Sequence, residues 1–220
     1  MPIAPPQTRQ FKSFEANIEY ARKLIRAGES LQGLQPGALD ITDLYRAAWV
    51  QAVSATDHWL HEELFRRVEE LTADRDAALP AQLQRFELPL SVIEAVRRGD
   101  RTMSDAVLHY VRAKWAFASM HSPRKIAEAY KLVSDIDLWQ SVARRLNGWN
   151  QHRTDFSSQT VRRRFSTVIE RRNKIAHHAD LEDGDLKQRR PITAADANDA
   201  VDWLERVVLA VAKVLEDGRA

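Results

Sequence analysis

Arg172, Asn173 and His177 put a guanidinium, an amide and an imidazole into one short stretch, Glu170-Arg171-Arg172-Asn173-Lys174-Ile175-Ala176-His177-His178-Ala179-Asp180. Groups of these types can bind a phosphate, hold it and move protons around it without a metal. The stretch follows an amphipathic basic segment, Val161 to Ile169, and precedes a polar loop. At about 100° per residue, Asn173 and His177 project from one side of a helix, whereas Arg172 and His177 diverge by about 140°. A single small ligand meets both only if the helix loosens before His177, or if two copies face each other across one cleft.

The chain has 220 residues, 44% of them hydrophobic and 29% charged, which describes an ordinary globular chain able to bury a sizeable core. It has no cysteine, which excludes disulfides, zinc–thiolate sites and thiol catalysis. No apolar N-terminal leader precedes Arg9, Lys12 and Glu15, and the longest apolar run, Val207 to Ala212, is far shorter than a membrane span. The expectation is a cytoplasmic protein with no membrane partner. The net charge of +2 conceals an asymmetry. Residues 1–100 net −3, residues 179–220 net −4, and residues 101–178 carry 15 Lys and Arg against 6 Asp and Glu. This basic block ends in the Arg-Asn-x-x-x-His stretch, and clustered positive charge suits a polyanion such as a nucleic acid.

The elements that must position these groups read as helices throughout. Phe11, Phe14, Ile18, Ala21 and Ile25 predict an amphipathic helix ending near Gly28, followed by a loop at Gly33, Pro36 and Gly37. Residues 1–10 read as a loose, proline-rich lead-in. Asp40 to Leu71 reads as a long helix, capped by Asp40 or Thr42, with Leu44, Ala48, Val53, Leu60, Leu64, Val68 and Leu71 as its apolar face. That helix sets Asp57 over His61 and His58 over Glu62. The pattern is not His-Glu-x-x-His and no third ligand is evident, so intrahelical hydrogen bonding or a helix interface is favoured over a metal. No metal and no cofactor are expected. Whether Asp57 and His61 belong to the site or to the core is left open by the sequence.

Pro89 to Arg98 with Gly99 as its stop, a helix capped by Ser104, a helix opened by Ser122-Pro123, and a helix from Asp137 to Asn147 ended by Gly148 follow in turn. Ser157-Ser158 opens the motif helix, with Val161, Phe165, Val168, Ile169 and Ile175 inward. Arg162, Arg163, Arg164, Arg171, Arg172 and Lys174 give it a basic character. Asp180 to Pro191, with Gly184, reads as a charged mobile loop, and His178 and Asp180 as exposed. Thr193 with Asp196 resembles a capping box before the final helix. The six tryptophans read as core anchors rather than base-stacking platforms. The fold class is all-α.

Arg172-Asn173-x-x-x-His177 at the end of a late helix resembles the signature of the HEPN superfamily. Leu44-Tyr45-Arg46-Ala47-Ala48-Trp49-Val50-Gln51-Ala52-Val53-Ser54-Ala55-Thr56-Asp57-His58 is also similar to the long early helix of its RiboL-PSP-HEPN branch. The likeness covers roughly residues 40–72 and 158–215. It implies one HEPN-like helical bundle over 1–220, with early helices in 11–72, additional helices inserted in 73–157, and the motif and C-terminal helices in 158–216. It further implies a metal-independent endoribonuclease, a homodimer joined through the motif helices, and a toxin or antiviral setting with an antitoxin or regulatory partner.

In such a site the RNA's own 2′-hydroxyl attacks the phosphorus. An imidazole removes that proton or protonates the departing 5′-oxygen, leaving 2′,3′-cyclic phosphate and 5′-hydroxyl ends. Arg172 stabilises the phosphorane charge, and Asn173 orients His177 or the dimer partner. Lys174, Arg171, Arg164 and Arg163 are the candidate RNA-binding residues, with His178, Asp57 and His61 as auxiliaries. Two other readings stand beside this one. A non-catalytic HEPN helical module would bind nucleotide or protein. A DNA-binding regulator would use the basic face of 159–174, although that face lacks a helix-turn-helix signature.

Overall fold

Thirty-two consecutive helical residues, Thr42–Ala73, form the axis on which the other helices pack. In the computed structural model, which describes residues 3–34, 40–182 and 187–218, the chain runs through helices only. In order these are α1 (Arg9–Gln32), α2 (Thr42–Ala73), α3 (Ala81–Gln84), α4 (Leu90–Arg98), α5 (Met103–Trp115), α6 (Pro123–Tyr130), α7 (Leu138–Trp149), α8 (Ser158–His178) and α9 (Ala194–Asp217). Among the described residues the sole extended pairing is an isolated bridge between Leu181 and Arg189. The expected all-α class holds. None of these helices is long and apolar enough to cross a membrane. Of the sequence-based expectations, those at Met1-Pro2, at Pro36-Gly37 and at Gly184 fall outside the described residues.

Helix α2 was expected to bury one apolar face. It is instead buried around most of its circumference, because α1, α5, α6, α8 and α9 all pack against it. Leu44 and Leu71 are only partly covered, while Arg46, Glu63 and Arg67 are buried. A buried charge needs a partner. Arg67 donates to Glu63 Oε1 at 2.6 Å and to the Leu215 carbonyl at 2.8 Å, so the ion pair also fastens the end of α9 to α2. Phe11, Phe14 and Trp59 meet at ring separations of 5.7–6.3 Å and seal the start of α1 against the middle of α2. Burial of each such side chain stabilises by roughly 1.5–3 kcal/mol.

Helix α1 continues past Gly28 to Gln32. The glycine is not a stop signal. A Cβ at position 28 would lie 2.5 Å from Tyr45 Cε1, so the missing side chain is what lets α1 and α2 approach. Ile41, not Asp40 or Thr42, holds the N-cap position of α2 and gives no side-chain cap, although Asp40 Oδ1 just before it accepts the Thr42 amide at 3.0 Å. Helix α5 starts at Met103 and is capped by Thr102, two residues before the expected Ser104, because Thr102 and Asp105 form a reciprocal capping box. Gly148 lies inside α7, which ends at Trp149. Gly99, at φ +80°, ends α4 as predicted, and Ser157 and Thr193 cap α8 and α9. Four of the tryptophans (Trp59, Trp115, Trp139 and Trp203) are buried, consistent with core anchors.

Candidate phosphate-binding site

Helix α8 is built to be held from behind. Val161, Phe165, Val168 and Ile169 are buried, whereas Ile175, expected inward, is only half-covered because the last turns of the helix run beyond the core. The half-buried Trp49 of α2 donates its indole N–H to the Val168 carbonyl at 2.9 Å. The helix remains regular through His178 and ends with Ala179 in the left-handed region at φ +50°. The helix therefore does not loosen before His177. Arg172 and His177 of one copy keep the wide divergence of an ideal helix.

Just past this end, Asp180 was expected in an exposed loop. It is fully buried. Its Oδ2 accepts from Arg46 Nε at 2.9 Å and from Arg171 Nη2 at 2.7 Å. The Arg190 amide donates to the Asp180 carbonyl at 2.8 Å, and Arg46 Nη2 donates to the Arg190 carbonyl at 2.8 Å. Glu182 N–H donates to the Gln188 carbonyl at 2.9 Å, so the described parts of the loop expected to be mobile are tied down. This network fixes the end of α8 to α2. It also commits Arg171, expected to contact RNA, to an internal role.

The other sequence-predicted residues separate into distinct places. Arg164 pairs with Asp199 at 2.7 Å and lies over the Trp203 ring at 4.3 Å, so it serves the α8–α9 packing. Arg163 is exposed and Lys174 half-buried. His177 and His178 are exposed on the last turn of α8, and no side-chain hydrogen bond or ion pair reaches either ring among the described residues. His61 is buried and belongs to the core. Its Nδ1 lies 2.8 Å from the Asp57 carbonyl, and its Nε2 lies 3.0 and 2.9 Å from the Trp115 and Ala118 carbonyls, so the ring docks the end of α5 onto α2.

Asp57 joins Arg172, through a residue that sequence reasoning missed. The turn between α5 and α6 carries His121, whose Nε2 lies 3.0 Å from Arg172 Nη2 and 3.5 Å from Asp57 Oδ1. Asp57 Oδ1 also accepts the Met120 amide at 2.8 Å, which pins this turn in place. A guanidinium can only donate, so Nε2 must offer its lone pair and the ring proton sits on Nδ1. Burial pushes the His121 imidazole below the ordinary histidine pKa. The Asp57 carboxylate opposes that shift, and the Arg172 cation and the His61 ring reinforce it. A lone histidine between Met120 and Ser122 has no spacing pattern that could have announced this position.

Arg172 Nη1 donates to Asn173 Oδ1 at 3.0 Å, and its buried Nε has no hydrogen-bond partner among the described residues. No carboxylate lies within ion-pair distance of Arg172 among the described residues, whereas Arg171 and Arg164 are each matched by an aspartate. A half-buried cation held, among the described residues, only by a neutral ring and an amide can pair with an external anion.

No protein-family model, curated protein or solved structure matches this chain.

Proposed function

We propose that the protein is a HEPN-like, metal-independent endoribonuclease that works as a homodimer. The observation that carries this reading is Arg172, a half-buried guanidinium with no carboxylate partner among the described residues, next to Asn173 and on the same helix as an exposed His177. The substrate phosphate binds Arg172. The 2′-hydroxyl loses its proton to an imidazole as the 2′-oxygen bonds to phosphorus. The P–O5′ bond then breaks and the 5′-oxygen takes up a proton. Arg172 stabilises the charge that develops on the phosphorane oxygens.

Because α8 is regular through His178, Arg172 and His177 do not converge within one copy. Pairing of two copies along α8 brings the guanidinium of one beside the imidazole of the other, with Arg163 and Lys174 lending positive charge to the RNA backbone. A toxin or antiviral role, a cytoplasmic setting and an inhibitory partner come with the resemblance alone.

Incubation of the protein with total RNA in EDTA tests the reading. Cleavage that yields 2′,3′-cyclic phosphate ends, and that is lost in Arg172→Ala and His177→Ala variants with unchanged helical circular dichroism, is the expected result. Cleavage that persists in both variants, or needs a divalent metal, would sink it. Binding of RNA without turnover would instead favour a non-catalytic binding module.

A further inference from the structure

We propose that Asp57, His121 and Arg172 form a proton-coupled binding site for a phosphate-type oxyanion. The inference takes its class of anion from the ribonuclease reading but does not require catalysis. In the unliganded arrangement the Nε2 lone pair of His121 holds Arg172 Nη2 at 3.0 Å, with Asp57 Oδ1 at 3.5 Å from the same nitrogen. Nη2 and Nε are the two donors on one edge of a guanidinium, the edge that grips two oxygens of a phosphate side by side. In Arg172 one of these donors is occupied by His121, and the other is buried without a partner among the described residues. The histidine thus competes with an anion for Nη2, one end of that edge.

A proton resolves the arrangement. Once Nε2 is protonated it can no longer accept from Arg172, and the new N–H has the Asp57 carboxylate within a small ring movement. The imidazolium and the guanidinium then repel each other, and the Nε–Nη2 edge of Arg172 opens to an oxyanion. Formal charge follows the same course. With His121 neutral, Arg172 and Asp57 sum to zero, which is a poor field for an anion. With His121 protonated, the ring pairs with Asp57 and the guanidinium pairs with the ligand, so every charge has a partner.

The groups facing His121 from the surrounding elements are Asp57 and His61 of α2 and Arg172 of α8. Arg124 and Lys125, in the first turn of α6, are exposed. Linkage is reciprocal: if a proton favours the anion, the anion must favour the proton. The oxyanion removes the Arg172 cation from the ring, and that cation is one of the causes that depress His121.

Sulfate is a suitable probe, because its charge is constant from about pH 5 to 8. Calorimetric titration of the full chain should show sulfate affinity falling about tenfold per pH unit once His121 is deprotonated, as one coupled proton requires. In wild-type protein the NMR titration of the His121 ring should move to higher pH when sulfate is added, and this readout needs no variant. His121→Asn should leave weak binding without the pH dependence, its fold checked by circular dichroism. Displacement of sulfate by a 2′-O-methylated oligoribonucleotide would assign the anion to a nucleic-acid backbone, and lack of displacement to a free oxyanion.

Sulfate binding that is flat across this pH range, absent at every pH, or stripped of its pH dependence by His177→Asn rather than by His121→Asn would overturn the proposal. Failure to cleave RNA would leave it standing, so the two readings fail separately.

Discussion

Arg46 and Asp180 lie 134 positions apart in the chain and meet through a 2.9 Å hydrogen bond between two buried side chains. Asp180 Oδ2 serves Arg171 as well, so one carboxylate compensates two cations at the point where α8 ends. Removing it leaves the buried Arg46, among the described residues, with only the exposed carboxylates of Asp43 and Asp40 as charge partners, at 3.4 and 3.8 Å.

Asp180→Ala should therefore destabilise by about 3–5 kcal/mol, the range for breaking a buried pair from one side. Urea denaturation followed by circular dichroism measures this. Because the same network fixes the end of α8, the variant should also lose order at His177 and His178. A loss below about 1 kcal/mol would show that Asp43, Asp40 or water replaces the carboxylate at Arg46.

The α1–α2 crossing makes a second, independent claim. Gly28→Ala places a methyl against the ring of the buried Tyr45, and overpacking of this kind costs about 1–3 kcal/mol, partly offset by the better helix propensity of alanine. Tyr45→Phe removes a buried hydroxyl that has no hydrogen-bond partner among the described residues. That change should be neutral or raise the melting temperature, the reverse of what loss of a satisfied hydroxyl does.

The depressed His121 gives stability a definite pH dependence. Its folded-state pKa lies below the unfolded value, so between the two the unfolded chain binds more protons. The contribution of this residue is complete above the ordinary histidine value. It is lost as pH falls from about 6.5 toward the folded-state pKa, below which no further change follows. Chemical denaturation at a series of pH values should show this slope in wild type and a flatter one in His121→Gln. An unchanged slope would assign it to other groups.

Pairing of two copies along α8 predicts complementation. An Arg172→Ala subunit keeps its histidine, and a His177→Ala subunit keeps its arginine. Mixed in equal amounts, half the dimers are hybrids and each hybrid rebuilds one of two composite sites. The mixture should recover roughly a quarter of wild-type cleavage. Continued silence of the mixture, with hybrids verified by mass spectrometry, would place both groups in one copy.

What the sequence made legible follows from how local each cause is. Ser157, Thr193 with Asp196, and Gly99 act within one turn of their own position, and all three were readable as helix punctuation. Gly28 carries the same residue type, but its role depends on Tyr45 of the next helix, so it reads falsely as a stop. Asp180 looks like a loop residue until the distant Arg46 folds onto it. The burial of α2 on most sides was hidden by Arg46, Glu63 and Arg67, polar residues that enter the interior because each finds a partner there. At the candidate site, the chemical types of Arg172 and Asn173 were evident at once. The link from Arg172 through His121 to Asp57 was not, since three separate segments create it and no spacing encodes it.

The bond from Trp49 to the Val168 carbonyl gives the molecule a built-in optical gauge. Indole emission responds to the polarity and hydrogen bonding of its N–H, and here that N–H is fixed to the helix bearing Arg172 and His177. Any event that shifts α8 against α2, whether a ligand, a second subunit or acid, changes the surroundings of this indole directly. In a background where the other tryptophans are replaced by phenylalanine, the colour of its fluorescence reads the seating of the motif helix in real time.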